Sequence, residues 1–495
     1  MTLDNPDPRP TRSGDAARRP GPGVARPGRV LTALAASACA GMAVVIGVSM
    51  SSGGKAAMVM PLAVLGGVAV AVLAMTRFAA YVMLMLAVRS CVDLFKLSGP
   101  TAGRPDVDQA SRAADLSTLL AVLFLLAAGL WLAAQLRRDG RLRGSPLGWS
   151  LLLVAATSLV SALGANTPTP SLLEALRIIT VVLMFVVLEQ LMPNTRAVRR
   201  FLLACYASLA LALGYTLVMS LLGDPPSEVK GSFTRISGPF SQSTTFGRYL
   251  MFMVIFGFAV YRYLDRWLRG AMAVLLAFSL VFLLLTNTRG AIIGAALGLF
   301  VVAILHRSKR MLVMLCVAAV GGGLLLPAVA DRFSQLADAG TVGGGPTGNT
   351  LAWRMDYWTQ IVTLANHNPV TGIGPNMTQR ETDEAKKPHN DFLRAYVETG
   401  LVGLLAYLAM MLMSLHTGRL ALRRAPPGSF ERGIAVGFLG CAVAFVAVSA
   451  ASNVISNVVT LWYLFAFAAA ASTVAYRSGA GTRGAVASPG AQPAP

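Results

Sequence analysis

Long apolar stretches alternate with short polar segments along most of this chain. Crossing ~30 Å of hydrocarbon takes roughly 20 apolar residues in a helix, and about fourteen stretches approach that length. The pattern predicts helices near residues 30–50, 58–76, 78–98, 116–136, 147–163, 172–192, 201–222, 246–264, 270–286, 291–305, 311–330, 391–415, 433–451 and 458–475. We therefore expect an all-α, polytopic membrane protein with about 12–14 transmembrane helices.

Composition agrees with this fold class. The 495 residues are 55% hydrophobic, and the mean hydropathy is +0.62, above the range of ordinary soluble domains. Residues 1–29 and 477–495 are rich in Pro, Gly or Arg and are predicted to be disordered cytoplasmic tails around a membrane domain of residues 30–476. The five cysteines lie in apolar helices without CxxC spacing, so we expect packing residues and no metal site.

The net charge of +20 raises the question of a nucleic-acid partner. Placing the N-terminal tail in the cytoplasm and alternating the helices puts the basic clusters RRDGRLR, NTRAVRR, HRSKR and RLALRR on the cytoplasmic side. This is the positive-inside pattern of membrane proteins. The basic residues therefore indicate topology, with both termini cytoplasmic and no nucleic-acid partner.

Three segments on the opposite, external side are longer or chemically unusual. They are residues 223–250, the junction TNTRG at 286–290, and a large loop at 331–388. The large loop contains LAWRMDYWTQIVTLA, whose apolar positions Leu351, Met355, Trp358 and Val362 recur at helical spacing. An amphipathic helix with this stripe on the membrane surface is predicted, and Arg354 is placed one turn from Trp358.

A histidine precedes the helix that follows this loop. Pro388 ends the preceding segment, Asn390 is a favourable N-cap, and Asp391 places negative charge in the first turn. The positive end of the helix dipole disfavours an imidazolium, so His389 is expected to stay neutral and able to accept a proton. The same dipole attracts anions such as phosphate. This arrangement suits group transfer from a lipid-linked phosphate at the external membrane surface.

Three arginines lie on the external side, against the positive-inside bias. They are Arg235, Arg289 and Arg354. A guanidinium can hold a diphosphate through two parallel hydrogen bonds, so these residues are candidate diphosphate ligands.

These motifs, in this order, resemble the O-antigen ligase and O-antigen polymerase superfamily. HNDFLRAYVETG, from His389 to Gly400, resembles the signature of the family, in which HNxxL is followed by a glycine. TNTRGA resembles its Arg-Gly motif, and RISGPF, from Arg235, resembles its external arginine segment. The run from Arg354 through Trp358 to NPVTGIGPN resembles the segment before the histidine.

The resemblance implies a metal-independent glycosyltransferase of the C-type membrane architecture, without a cofactor. Its donor would be a glycan on undecaprenyl diphosphate, and its acceptor a hydroxyl of a glycolipid, glycan or protein, outside the bacterial inner membrane. In this sequence His389 would be the base, and Arg235, Arg289 and Arg354 would bind the diphosphate. Asn390 and Trp358 would support them. After GPF the chain departs from the family pattern, leaving Gln242 and Arg248 as candidate polar contacts.

Other interpretations remain open. The sequence does not separate a ligase from a polymerase. A transporter would need related halves with broken helices near the bilayer midplane, and no such repeat is evident. Taken alone, a histidine before a membrane helix is more often an interfacial residue than a catalyst. Two charge groups within apolar helices, Arg89–Asp93–Lys96 and Glu174–Arg177, are predicted to be internal ion pairs that orient helices.

Overall fold

The protein was analysed as a computed structural model, which describes residues 55–95, 116–230, 233–314, 316, 351–382 and 387–477. Several predictions fall outside these residues. They are the helix at 30–50, nearly all of the helix at 311–330, both predicted tails apart from Arg477, Lys96, and much of the loop at 331–388. The chain divides into two compact units, residues 1–76 and 77–495, and the first contributes one described helix.

The described chain is mainly helical. The α-helices are α1 Lys55–Thr76, α2 Phe78–Val88, α3 Leu116–Asp139, α4 Pro146–Leu163, α5 Pro168–Leu191, α6 Thr195–Leu221, α7 Ser243–Tyr261, α8 Arg266–Leu285, α9 Arg289–Leu305, α10 Leu351–Ala365, α11 Asp391–Arg424, α12 Phe430–Ser449 and α13 Val458–Arg477. A 3₁₀ helix, Arg89–Phe95, follows α2. Strands β1 Ser227–Lys230 and β2 Phe233–Ile236 form an antiparallel hairpin.

Nine helices within the described ranges are long and apolar enough to cross a membrane. The prediction of an all-α, polytopic membrane protein is therefore confirmed. One predicted helix, 78–98, differs in form because its α-helical part ends at Val88 and continues as the 3₁₀ helix. The predicted ion pair between Arg89 and Asp93 is present in that 3₁₀ helix, with 3.8 Å between nitrogen and oxygen.

Helices α7, α12 and α13 form the centre of the second unit, where most of their side chains are buried. Phe256 of α7 stacks on Phe467 of α13, with 4.0 Å between ring centroids. Helices α3 and α8 are peripheral and leave large apolar side chains exposed, including Leu130 and Val274. Such surfaces are stable in contact with lipid, which agrees with a membrane protein.

The described basic segments meet at one end of the second unit, here called the basic end. The Gln190 side chain bonds the backbone of Arg143, which joins the end of α5 to the segment before α4. Thr195 donates to Glu431 at 2.6 Å, and the guanidinium of Arg199 lies 4.7 Å from the Phe430 ring centroid. The segments rich in Arg therefore lie together, as the alternating topology requires.

This arrangement predicts opposite sides of the membrane for two reporter fusions. A reporter joined after Gly345 is expected to be external, and one joined after Arg424 cytoplasmic, because cationic segments are retained inside. Protease protection in intact cells measures the difference. Finding both reporters on the cytoplasmic side would remove the external site proposed below.

Helix α11 is interrupted at Gly400, where the predicted helix was continuous. Gly400 has φ 68° and ψ −172°, a conformation that favours glycine. Two backbone N–H groups beyond the break donate to the segment before the histidine: Leu401 to Pro369 O at 2.8 Å, and Val402 to Val370 O at 3.4 Å. The break therefore lets NPVTGIGPN pair with α11 through its backbone.

Candidate active site

Four segments of the chain come together at the end opposite the basic end, here called the motif end. They are the hairpin with the start of α7 (227–230 and 233–248), the junction 286–290, the start of α11 (387–394), and the turn between α12 and α13 (450–457). Thr288 donates to the carbonyl of Ser243 at 3.4 Å, and Ser243 donates to Glu228 in the hairpin. The motif end thus unites the predicted external motifs with the 450–457 turn, which the sequence analysis did not single out.

His389 lies immediately before the N-cap of α11. The Asn390 side chain accepts hydrogen bonds from the N–H groups of Phe392 and Leu393, at 3.0 and 3.1 Å, which confirms the predicted N-cap. The backbone of His389 has a positive φ of 55°, which is uncommon for a residue other than glycine. The indole N–H of Trp358 donates to the carbonyl of Pro388 at 2.6 Å. Asn390 and Trp358 therefore hold the backbone on both sides of His389.

The 450–457 turn reaches His389 through an asparagine. Asn453 Nδ2 lies 3.3 Å from His389 Nδ1. Arg248 holds the same turn, donating to Asn453 O at 3.1 Å and to Ser452 Oγ at 3.0 Å. Arg248 is buried, and its guanidinium stabilises the turn that contacts His389.

Asp391 fastens this turn to α11. Its fully buried carboxylate accepts hydrogen bonds from Val454 N at 2.8 Å and Ile455 N at 3.2 Å, and from the Tyr407 hydroxyl at 3.4 Å. A carboxylate buried at a helix N-terminus is stabilised both by such donors and by the helix dipole. Asp391 thus fixes the start of α11 against the turn that contacts His389.

Arg235 and Arg289 are near one another at the motif end. Arg235 lies on β2, paired with Glu228 across the hairpin, and Arg289 is the first residue of α9. Their positive charges repel one another electrostatically. The Arg235 Nε is buried and makes no hydrogen bond within the described residues. Two adjacent guanidinium groups are suited to binding an anion with several oxygens, such as a diphosphate.

The segment after β2 packs against α7 through a glycine and three aromatic rings. Gly238, in RISGPF, has φ 58°, and a Cβ there would lie within 2.9 Å of the Phe246 ring and of Thr216 Oγ1. Phe240 packs against Phe246 and Tyr249, with centroids 5.6 and 5.2 Å apart. The glycine and phenylalanine of this motif, three and five residues after Arg235, therefore position Arg235 by close packing.

Two further candidate residues are placed less directly. Arg354 lies in α10, but its side chain is outside the described part of the structure, so its role and its contact with Trp358 stay predictions. Gln242 is the exposed N-cap residue of α7 and accepts a hydrogen bond from Thr244 at 3.4 Å.

The amphipathic helix α10 begins and ends as predicted, at Leu351 and Ala365. Its packed face, however, consists of Tyr357, Ile361 and Ala365, which lie in a buried cluster with Val397 of α11. Met355 and Val362, from the predicted stripe, remain exposed. Helix α10 therefore has a second apolar face that packs on the protein, and Trp358 lies at the border of the two faces.

A buried charge network lies next to the histidine and was missed in the sequence analysis. Arg394 donates to Glu398 at 2.8 Å and to Glu174 at 3.3 Å, and it also donates to Ser456 of the turn. The predicted pair of Glu174 with Arg177 is present at 3.1 Å and is the outer part of this network. The spacing of Arg394 and Glu398, four residues apart in an apolar helix, is a signal that could have revealed it.

Lys387, two residues before His389, lies beside this network. Burial lowers the pKa of the Lys387 ammonium, and the Arg394 guanidinium lowers it further, whereas the carboxylates of Glu174 and Glu398 act in the opposite direction. Lys387 and Arg394 therefore add positive charge to the motif end, where Glu174 and Glu398 each have an arginine partner.

Comparisons with known proteins bear on this site. Residues 272–408 match the model of a protein family described as O-antigen ligase. The matched range contains Arg289, helix α10 and His389 with its following glycine. The chain is related to the O-antigen ligase and polymerase superfamily. The resemblance drawn from the motifs is thereby confirmed, and the two matches support a role in polysaccharide biosynthesis at a membrane.

The chain is also similar to a curated bacterial protein. It is 28% identical over 240 residues to the exopolysaccharide production protein ExoQ of Rhizobium meliloti (strain 1021). The alignment covers 43% of this chain and 53% of the relative, so the chain spans about half the length of the relative it matches. These similarities support a function of the ligase or polymerase type, and the donor and acceptor belong to the proposal below.

Proposed function

We propose that the protein is a membrane glycosyltransferase of the O-antigen ligase type. It transfers a glycan from undecaprenyl diphosphate to an acceptor hydroxyl on the external face of the bacterial inner membrane, without a metal ion or cofactor. The observation that carries the proposal is that the external motifs, distant in sequence, meet at the motif end. A pair of arginines and a histidine at a helix N-terminus lie within this one region.

The proposed reaction is a displacement at the anomeric carbon of the donor. The acceptor oxygen forms a bond to this carbon, and the bond from the carbon to the diphosphate oxygen breaks. His389 takes the proton of the acceptor hydroxyl, and undecaprenyl diphosphate leaves with the electron pair of the broken bond. A positioned base of this kind typically accelerates transfer by ~10²–10⁴.

Asn453 is suited to orient the base. With its amide turned so that Oδ1 faces the ring, it would accept a hydrogen bond from Nδ1–H of His389, which leaves Nε2 as the basic nitrogen. In the present orientation Asn453 Oδ1 is buried and makes no hydrogen bond within the described residues, which supports the turned amide.

Arg235 and Arg289 are assigned to the diphosphate. Their mutual repulsion is relieved when a diphosphate binds between them, so binding is favoured by charge as well as by hydrogen bonds. As the bond to the sugar breaks, negative charge grows on the leaving oxygen, and fixed guanidinium groups stabilise that charge. Arg354 is kept as a third candidate ligand because it lies on α10, the helix whose Trp358 holds the backbone before His389.

The acceptor defines two versions of the function. A ligase attaches the glycan to a lipid or protein, whereas a polymerase extends a glycan chain, and both use the same donor chemistry. The name of the rhizobial relative refers to exopolysaccharide production, which keeps the polymerase as the second candidate.

The arginine pair gives a specific prediction. Arg289→Lys is expected to weaken binding of the lipid-linked donor by about 10-fold, because an ammonium retains the charge but lacks the planar fork that pairs with two phosphate oxygens. Donor binding to purified protein in nanodiscs measures the effect. Arg138→Lys, an exposed position on α3 near the basic end, is the matched control and is expected to bind donor as the wild type does. Equal donor affinity in all three proteins would contradict the assignment of Arg289.

A further inference from the structure

The start of α11 is set off from the rest of that helix by a break in the backbone at Gly400. The break at Gly400 leaves residues 389–399, here called the His389 segment, before a continuous helix from Leu401 to Arg424. A residue in left-handed conformation interrupts the regular backbone geometry of a helix, so the helix itself does not hold the two parts in line. The orientation of the His389 segment must therefore come from its own side-chain and backbone contacts.

Arg394 supplies several of these contacts, alongside those of Asp391. It lies one turn after Asn390, and its backbone N–H donates to the Asn390 carbonyl at 2.9 Å. Its buried guanidinium contacts Glu174 on α5, Glu398 within the segment, and Ser456 of the turn that carries Asn453. One side chain thus joins the segment on one side to α5 and on the other to the turn that contacts His389.

The network around Arg394 is complete, which makes it rigid. Each Glu174 oxygen has an arginine partner, Arg394 for Oε1 and Arg177 for Oε2. In Glu398, Oε1 accepts from Thr378 at 3.1 Å and Oε2 accepts from Arg394. A buried guanidinium at a membrane position is costly unless it is paired, and a fully satisfied polar network favours one geometry over others.

We propose that Arg394 is a positioning residue for His389: through Glu174, Glu398 and Ser456 it fixes the rotation of the His389 segment so that the imidazole faces the acceptor hydroxyl. This inference rests on the proposed function. Arg394 itself touches neither the donor nor the reacting atoms. A displacement of about 1 Å in a reacting group can cost ~10²-fold in rate, so loosening the segment should lower the rate without weakening donor binding.

The test measures transfer by Arg394→Gln in nanodiscs, per folded molecule, with the glycan donor on undecaprenyl diphosphate. We expect kcat to fall by ~10–100-fold while the KM for donor changes by less than about twofold. The same substitution in a His389→Ala background is expected to cost less than about twofold, because the base that Arg394 positions is already absent. A purely architectural role would lower the rate equally in both backgrounds.

Two further variants complete the experiment. Arg138→Ala removes an exposed guanidinium that lies outside this network and is the control, expected to transfer within about twofold of the wild-type rate. If Arg394→Gln does not fold, Ser456→Ala is used instead, because it removes only one contact of Arg394. It is expected to lower kcat about 2–5-fold in protein that retains His389, and to have no such effect in the His389→Ala variant.

The outcomes separate this inference from the proposed function. An unchanged kcat in Arg394→Gln, or in Ser456→Ala where that variant is used, overturns the positioning role while leaving His389 as the base. An equal loss of transfer rate in protein with His389 and in the His389→Ala variant also overturns the positioning role. Transfer at the wild-type rate by His389→Ala alone would refute the proposed function and this inference together.

Discussion

Replacing His389 with alanine is expected to lower the single-turnover rate of glycan transfer by ~10²–10⁴ while leaving donor binding within about twofold of wild type. The reason is that the proposed base contacts the acceptor hydroxyl, whereas the diphosphate is held by Arg235 and Arg289. Rapid-quench transfer and equilibrium donor binding, both in nanodiscs, measure the two quantities. Both measurements are necessary because a misfolded variant would lose donor binding as well as transfer activity.

A second histidine provides the control for this experiment. His367 follows α10 and is exposed, and its Nδ1 lies 3.3 Å from the carbonyl oxygen of Leu364. His367→Ala is therefore expected to transfer at the wild-type rate. A His389→Ala variant that transfers as fast as His367→Ala would make His389 an interfacial residue without a catalytic role.

Gly400→Ala is expected to destabilise the protein by about 2–5 kcal/mol. A left-handed backbone costs ~1–2 kcal/mol for a residue with a Cβ, and forcing an atom into a packed site costs ~1–3 kcal/mol. The added Cβ would collide with the backbone of Val370 and Thr371, which cannot move without breaking the pairing between α11 and NPVTGIGPN. Thermal unfolding in detergent, together with the yield of folded protein, measures the loss.

Gly428→Ala isolates the backbone contribution. Gly428 has a similar φ of 76°, but a Cβ there would meet no atom within 4 Å. Its expected cost is therefore the backbone cost alone, about 1–2 kcal/mol. If Gly400→Ala were no more destabilising than Gly428→Ala, the close approach of the two segments at Gly400 would be wrong.

Hydrophobic periodicity was sufficient to locate the described helices, because a spanning helix must be both long and apolar. The predicted helix at 147–163 is found at Pro146–Leu163, and that at 458–475 at Val458–Arg477. Periodicity did not reveal the break at Gly400, since an apolar run continues on both sides of it. The break depends on pairing with residues 369–370, a contact between segments that lie about 30 residues apart.

The residues of the candidate site were predicted unevenly, for physical reasons. Asn390 could be assigned as an N-cap because capping is local in sequence. Ser452, Asn453 and Ser456 gave no signal, because short polar residues in a turn between two helices are ordinary. Their importance comes from contacts with Arg248, His389 and Arg394, which only the tertiary structure brings together.

Helix α10 illustrates a similar limit. Spacing identified one apolar stripe, through Met355 and Val362, and that stripe is exposed in the protein. The second stripe, through Tyr357 and Ile361, is equally regular and packs against Val397. A helix with apolar residues on two faces can contact lipid with one and protein with the other, and sequence alone does not rank them.

The central claim is that the protein breaks the bond between a glycan and undecaprenyl diphosphate. The most direct measurement uses proteoliposomes that contain the purified protein and the lipid-linked glycan, and it quantifies free undecaprenyl diphosphate against time. The account predicts one molecule of undecaprenyl diphosphate released for each glycan transferred, in a reaction that depends on His389. Movement of the intact glycan-lipid from one leaflet to the other, with no undecaprenyl diphosphate released, would contradict the account and indicate a transporter.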